Sequence, residues 1–281
     1  MSQPLVSVIC LCYNHRNFVQ EAIESVLRQD YPSIELILVD DASQDGSQEI
    51  ILEILNQHPE IKYISHKTNR GNCASFNAGF RISGGNYIID LAADDVLMPD
   101  RVTKGVSALV QAGESYGVQF SDAIIINKNR EVLGYHSDKY PHHSIPQGDI
   151  YLALIGRYFI SSPTMMIRRE VLETLHGYDE KLAYEDFDFW IRSARQYKYV
   201  YLPLALIKRR HLADSMRSHQ FKRGSQQLRS TLAVCKKIKK LNITPEENRA
   251  LRNRIKYEMK VALKLMDWPL LFNYIKILFN R

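Results

Sequence analysis

Apolar and polar positions switch between two periods over the first 90 residues. Leu5–Cys12 is an apolar run broken only by Ser7, the pattern of a strand buried on both faces. Val19, Ala22, Ile23, Val26 and Leu27 then recur at helical spacing and predict one apolar helix face. Tyr31-Pro32 ends that helix, and Ile34–Val39 is a second buried strand running into Asp40-Asp41. Asp45–Leu55 predicts a helix, Lys62–Ser65 a short strand, Asn72–Ile82 a helix and Tyr87–Leu91 a fourth strand interrupted by Asp90. Strands alternating with helices predict an α/β domain on a mixed, mostly parallel sheet. In such sheets ligands collect beyond the carboxyl ends of the strands. Tyr13-Asn14, Asp40-Asp41 and Asp94-Asp95 all fall at or just after strand ends, so they are expected to converge there.

Past Pro99 the alternation loosens. Gly117–Ile126 predicts a strand, Ser161–Ile167 another, Glu185–Gln196 a helix and Tyr199–Ile207 a strand. Lys128–Gly148 is polar, holds Pro141, Pro146, His136, His142 and His143, and is expected to be a mobile loop with surface histidines. From about Gln220 the pattern is helical to the end. Thr244-Pro245-Glu246-Glu247 marks a helix start, with Thr at the cap, Pro at the first position and Glu three residues after the cap.

Composition narrows the class. Of 281 residues, 45% are hydrophobic and 24% charged, which excludes disorder as the dominant state. The net charge of +6 hides a split: residues 217–281 carry +12, and residues 1–216 carry −6. No apolar run approaches the roughly 18 residues of a membrane-spanning helix. No Lys or Arg precedes Arg16, so the positive start of a secretory signal is missing and a cytoplasmic location is expected. Cys10, Cys12, Cys73 and Cys235 have no metal-ligand spacing and read as small buried hydrophobes.

Adjacent carboxylates at a strand end suit a hard cation such as Mg²⁺ or Mn²⁺ that also bridges phosphate oxygens. Taken alone, Asp94-Asp95 and Asp40-Asp41 fit a solvated turn or a helix cap equally well. Their order along the chain is more telling. Val6-Ser7-Val8-Ile9 with Tyr13-Asn14 leads to Glu35-Leu36-Ile37-Leu38-Val39-Asp40-Asp41-Ala42-Ser43. Asn69-Arg70-Gly71 and Asn77-Ala78-Gly79 follow, then Gly84-Gly85-Asn86-Tyr87 running into Ala93-Asp94-Asp95 and Met98-Pro99-Asp100-Arg101. Gly177-Tyr178-Asp179-Glu180 and Glu185-Asp186-Phe187-Asp188 close the series. Over residues 4–216 this resembles the family 2 glycosyltransferases of GT-A fold.

The resemblance implies inverting, hexosyltransferase-type transfer from a nucleotide-diphospho-sugar to an acceptor hydroxyl. Leu11 and Tyr13 would border the base, with the Tyr13 ring stacked on it. Asp41 would accept a hydrogen bond from a ring N–H, which favours a UDP-sugar, with a dTDP-sugar next, over an adenine nucleotide. Asn77 would lie near the ribose or the carboxylate cluster, or serve structure alone. Asp94 matches the metal ligand of the family's DxD motif, although Ala92 and Ala93 replace its first two positions. The implied ligand set for Mn²⁺ or Mg²⁺ is Asp94, Asp95 and His211, with Asp90 the alternative to Asp95 for the second carboxylate. His211 would meet the metal or the diphosphate, beside the loop Asp214–Ser218. Asp186 matches the catalytic base. A non-catalytic nucleotide-sugar-binding or scaffold protein on the same fold is the rival reading.

The resemblance covers a catalytic domain at 1–218 and leaves a basic helical extension at 219–281. Neither a QxxRW motif nor membrane helices are present, which points away from processive synthesis. Lys236-Lys237-Ile238-Lys239-Lys240 and the apolar end from Trp268 fit either packing on the domain or an anionic membrane surface. No RNA-binding motif is present, so no nucleic-acid partner is expected. The acceptor is expected to be a glycan or a lipid-linked glycan of a bacterial surface polysaccharide.

Overall fold

Every residue of β1 (Val6–Cys12) is buried, because parallel neighbours and helices cover it on all sides. The computed structural model describes residues 3–140, 145–212 and 222–279. Within them α1 (Val19–Leu27), β2 (Ile34–Asp40), α2 (Ser47–Gln57), β3 (Lys62–Ser65), α3 (Asn72–Ile82) and β4 (Tyr87–Ala92) complete the first half. The second half holds β5 (Val96–Leu97), α4 (Arg101–Ala112), β6 (Tyr116–Ile126), β7 (Val132–Tyr135) and α5 (Tyr151–Gly156). It continues with β8 (Met166–Arg168), α6 (Arg169–Leu175), α7 (Glu185–Ala194) and β9 (Lys198–Arg210). The extension forms α8 (Gln226–Leu241), α9 (Pro245–Lys264) and α10 (Trp268–Phe279).

The strands form one mixed sheet in the order β3-β2-β1-β4-β8-β6-β9-β5, with β7 beside β6. The β3-β2-β1-β4 half is parallel, β8 runs against both neighbours, and β6 and β9 are parallel again. Side-chain alternation along the strands makes two cores. Val6, Val8 and Cys10 face α1 and α4, whereas Ile9 and Leu11 face α3 and the second half. The helix α3 lies unusually close to β1: a Cβ at Gly79 would meet Ile9 Cγ2 at 2.6 Å.

Buried side chains of α8, α9 and α10 belong to the same core as Ile9, Leu11 and Trp190. Polar clamps hold them as well. Lys237 pairs with Asp179 at 2.7 Å and Asp188 at 2.6 Å, Arg195 with Glu247 at 2.6 Å, and Tyr151 Oη donates to Asn242 at 2.8 Å. The helix start at Thr244 forms as predicted, with reciprocal bonds between Thr244 and Glu247. The extension is thus packed on the domain, while the 218/219 boundary falls at 213–221, outside the described residues.

Three expectations change. The stretch at 161–165 is a tight turn, not a strand, because the Thr164 hydroxyl bonds back to Ser161 O at 2.6 Å and Pro163 lacks a ladder donor. Only Met166–Arg168 is extended. The polar stretch after Lys128 contains β7 and a 3₁₀ turn at His136–Lys139, pinned where Asp122 accepts from Ser137 N at 2.9 Å and Ser137 Oγ at 2.5 Å. His136 is accordingly buried, its Nε2 against Phe159 O at 3.1 Å, rather than on the surface. His142 and His143 lie outside the described residues.

Candidate functional site

The carboxyl ends of β1, β2 and β4 meet as topology requires. Leu11 lies between Val39 and Ala92 in register, and Ala93 N donates to Leu11 O at 2.9 Å. Tyr13, just past β1, leaves its ring about half exposed. Asp41 N is tied to Cys12 O at 2.8 Å, which holds the backbone of Asp41 against the end of β1, one residue before Tyr13. The Asp41 carboxylate is buried and accepts Arg70 N at 2.7 Å and Gly71 N at 2.8 Å. Gly71 has φ +83°, a conformation glycine adopts without strain, and α3 starts at the next residue. Asp41 therefore fixes the loop entering α3, and each of its oxygens retains a second lone pair for a ligand donor.

Asn77 is placed differently from the other expected contacts. Its amide donates to Tyr178 O at 2.9 Å and Glu180 Oε1 at 3.0 Å, and its carbonyl accepts Tyr178 N at 2.9 Å. Both N–H bonds are engaged, so Asn77 acts as a clamp on the loop before α7. That loop carries Tyr178, which hydrogen-bonds to Asp90 of β4.

Asp94, Asp95, Asp186 and His211 line one cleft of about 350 Å³, together with Arg209, Tyr158, Ser162, Tyr184 and Gln227. The two aspartates of the turn after β4 divide their roles. Asp95 is 2% exposed and its Oδ1 accepts Arg210 N at 2.8 Å, which ties the end of β9 to the turn. The Asp94 side chain is partly exposed and has no hydrogen-bond partner among the described residues, while its carbonyl accepts Arg210 Nε at 2.9 Å. Arg210 itself is buried, paired with Glu21 at 2.8 Å and stacked on Phe18. His211 is exposed, and its backbone N–H reaches Ile126 O at 2.8 Å.

Across the cleft, Glu185 and Asp186 open α7. Burial, then repulsion from Asp186, pushes the Glu185 carboxyl well up, and Asn72 Nδ2 holds its Oε1 at 2.5 Å. Burial also raises Asp186, opposed by a hydrogen bond from Ser162 and the charge of Arg209. Arg209 reaches Ser161 Oγ at 3.2 Å, and its charge acts on both Asp95 and Asp186.

Among the described residues no three His, Cys, Asp or Glu side chains form a closed metal cage. An open site suits a hard cation that takes one or two carboxylates and fills its shell with phosphate oxygens and water. The partly exposed Asp94 carboxylate offers one such ligand, and His211 lines the same cleft. Tyr158, Ser162, Tyr184 and Gln227 were not singled out in the sequence. They lie on three separate segments, Tyr158 and Ser162 between α5 and β8, Tyr184 before α7 and Gln227 in α8, and no sequence pattern links the three. The Asp214–Ser218 loop lies outside the described residues.

Residues 7–175 match the sequence profile of Glycosyl transferase family 2. An uncharacterized glycosyltransferase of Methanocaldococcus jannaschii is 32% identical over 215 residues, covering 75% of this chain and 72% of that one. Among solved structures the chain is similar to S. aureus TarS 1–349 in complex with UDP-GlcNAc, at TM-score 0.75 and 18% identity, over 97% of this chain and 81% of that one. It is also similar to the mannosyltransferase of Pyrobaculum calidifontis in complex with GDP-Man and Mn²⁺. There the TM-score is 0.64 and the identity 15%, over 100% of this chain and 89% of that one. At such identities the likeness to the two structures is one of fold.

Proposed function

The chain belongs to glycosyltransferase family 2 and has the GT-A fold, and from that premise we propose that it performs an inverting, cation-dependent sugar transfer from a nucleotide-diphospho-sugar to an acceptor hydroxyl. The observation that carries the reading is the presence, in one cleft, of the partly exposed Asp94, of Asp186 and of Arg209, whose charge acts on Asp186.

Tyr13 offers a ring face to the base and Asp41 an acceptor to a ring N–H, which supports a UDP-sugar first and a dTDP-sugar second. Leu11 and Ala93, both buried, close the floor beneath the nucleotide. Arg209 and His211 meet the diphosphate. Asp94 and His211 would hold Mn²⁺ or Mg²⁺, with Asp95 fixing the turn behind them. When bound, the cation offsets charge growing on the departing diphosphate. Burial and the field of Asp186 raise the Glu185 carboxyl, while the hydrogen bond from Ser162 and the charge of Arg209 favour the ionised form of Asp186. Asp186 takes the acceptor hydroxyl proton as that oxygen bonds to the anomeric carbon. The bond from that carbon to the diphosphate oxygen breaks, and its electron pair leaves with the nucleoside diphosphate. The acceptor is a glycan or lipid-linked glycan in surface polysaccharide synthesis, and no nucleic acid takes part.

The test is turnover across a panel of nucleotide-sugars with Mn²⁺, measured as donor hydrolysis and as transfer. Release of UDP from at least one UDP-sugar, abolished by EDTA and restored by Mn²⁺, is the expected result. Tight nucleotide binding with no turnover of any donor would establish the non-catalytic rival.

A further inference from the structure

The extension presents two stripes that nothing in the described structure covers. On α9, Arg249, Arg252, Lys256, Lys260 and Lys264 are all exposed and fall within an arc of about 120° at 3.6 residues per turn. The opposite face buries Leu251, Ile255, Glu258 and Ala262. None of the five cations has a carboxylate partner among the described residues. On α10, Trp268, Phe272, Ile275 and Phe279 fall within an arc of about 60°, opposite the buried Leu270, Tyr274 and Ile277. Trp268 is 49% exposed, Phe272 59% and Phe279 79%. Leu263 and Met266, also exposed, join the two stripes at the turn between the helices.

We infer that the outward faces of α9 and α10 form a docking surface for an anionic lipid bilayer. Charge complementarity carries the inference. Between residues 248 and 279 the acidic residues are Glu258 and Asp267, and both are buried, Glu258 against Arg254 and Asp267 against backbone N–H groups. On α9 itself Glu247 is buried as well, and the exposed Glu246 in the first turn is the one acidic group beside the stripe. The surface is therefore predominantly cationic, five Lys and Arg against one Glu on α9, beside a Trp/Phe/Ile stripe, the pairing that seats a helix at the headgroup boundary. A nucleic acid would use the cations but leave Ile275, Leu263 and Met266 without a role.

The same geometry relocates the contact within the tail. The lysine-rich run of α8 is partly engaged, since Lys237 pairs with Asp179 and Asp188, and Lys239 donates to Ile277 O at 2.9 Å. The docked surface is also close to the cleft. Asp267 accepts Leu270 N at the start of α10 and Gly224 N, both at 3.1 Å, and Gln227, three residues beyond Gly224, lines the catalytic cleft. A bilayer meeting the Trp268 end of α10 thus brings lipid headgroups near the cleft. The link to a lipid-linked acceptor rests on the transfer reading, whereas membrane docking itself needs neither donor nor acceptor.

The full chain is floated with vesicles of phosphatidylcholine alone and of phosphatidylcholine with phosphatidylglycerol, without nucleotide or metal. Binding to the anionic vesicles, weakened by salt and accompanied by a blue shift of tryptophan emission, is expected. Trp190 is already buried, so that shift reports Trp268. Lys256→Glu with Lys260→Glu, and separately Trp268→Ser with Phe272→Ser, lower partitioning by about tenfold or more. Lys236→Glu with Lys240→Glu on α8 leaves it within about twofold. All substituted positions are exposed, and unchanged melting and UDP binding check that each variant is folded. Failure to bind anionic vesicles overturns the inference, whether accompanied by poly(U) binding, by Trp268-dependent dimerisation or by neither. Loss of binding only in the α8 variant overturns it too. A chain that floats yet turns over no donor leaves this inference standing and removes the transfer reading instead.

Discussion

Asp186 and Asp94 line the same cleft, and substitution of Asp186 tests chemistry apart from binding. Asp186→Asn keeps the shape and removes the proton acceptor, so turnover falls by about 10²–10⁴-fold while UDP affinity by calorimetry is unchanged. Because burial raises Asp186, the acidic limb of its kcat/KM profile lies above the usual carboxylate range of about 4, and activity is lost as pH falls through it. Asp90, pushed up to about 7 by burial and then by Asp186, makes a prediction about stability. Its folded value exceeds the unfolded value of about 4, so the fold binds the extra proton. Its stabilising contribution is complete below pH 4 and disappears as pH rises through 7. Asp90→Asn keeps an acceptor for the Tyr178 hydroxyl, so at pH 8 it stabilises the protein by about 1–2 kcal/mol, against little change at pH 4. Thermal melts across that range measure it.

At the scale of elements, close approach determines what can change. A Cβ at Gly79 meets Ile9 at 2.6 Å and Val39 at 3.2 Å, so Gly79→Ala pushes α3 off β1 at a cost of about 1–3 kcal/mol in denaturant unfolding. The elements of the first half were legible in the sequence because each is a contiguous periodic run ended by a local signal, such as Tyr31-Pro32. The parts around the cleft were less so. Ser161–Thr164 looked like a strand because its apolar flanks are extended, but local hydroxyl bonds hold it as a turn. The pinning of the segment around His136 depends on Asp122 meeting Ser137, a contact that no spacing rule encodes. At the site, Asp94 and Asp186 were legible through ordered motifs. The Tyr158 and Gln227 walls exist only after α5 and α8 pack together with α7.

For the whole molecule, one core runs from β1 to α10, so the extension is not a removable appendage. A chain ending at residue 221 would expose the core faces that Leu228, Val234, Ile255 and Tyr274 cover. Such a chain should lose cooperative unfolding and aggregate, as calorimetry and light scattering would show. Point substitutions on α9 and α10 are accordingly the right probe of the tail.

The ion pairs from Lys237 to Asp179 and Asp188, and from Glu247 to Arg195, bear on how such chains can recombine. A crossover near residue 220 that joins one relative's body to another's tail breaks three charge pairs around α7 at once. A crossover just before Gly177 leaves them intact and carries Asp186, α7 and the tail as one inheritable block. A tail exchanged between relatives therefore keeps these charge pairs only when the seam lies upstream of Asp186, inside the region that first reads as a single domain.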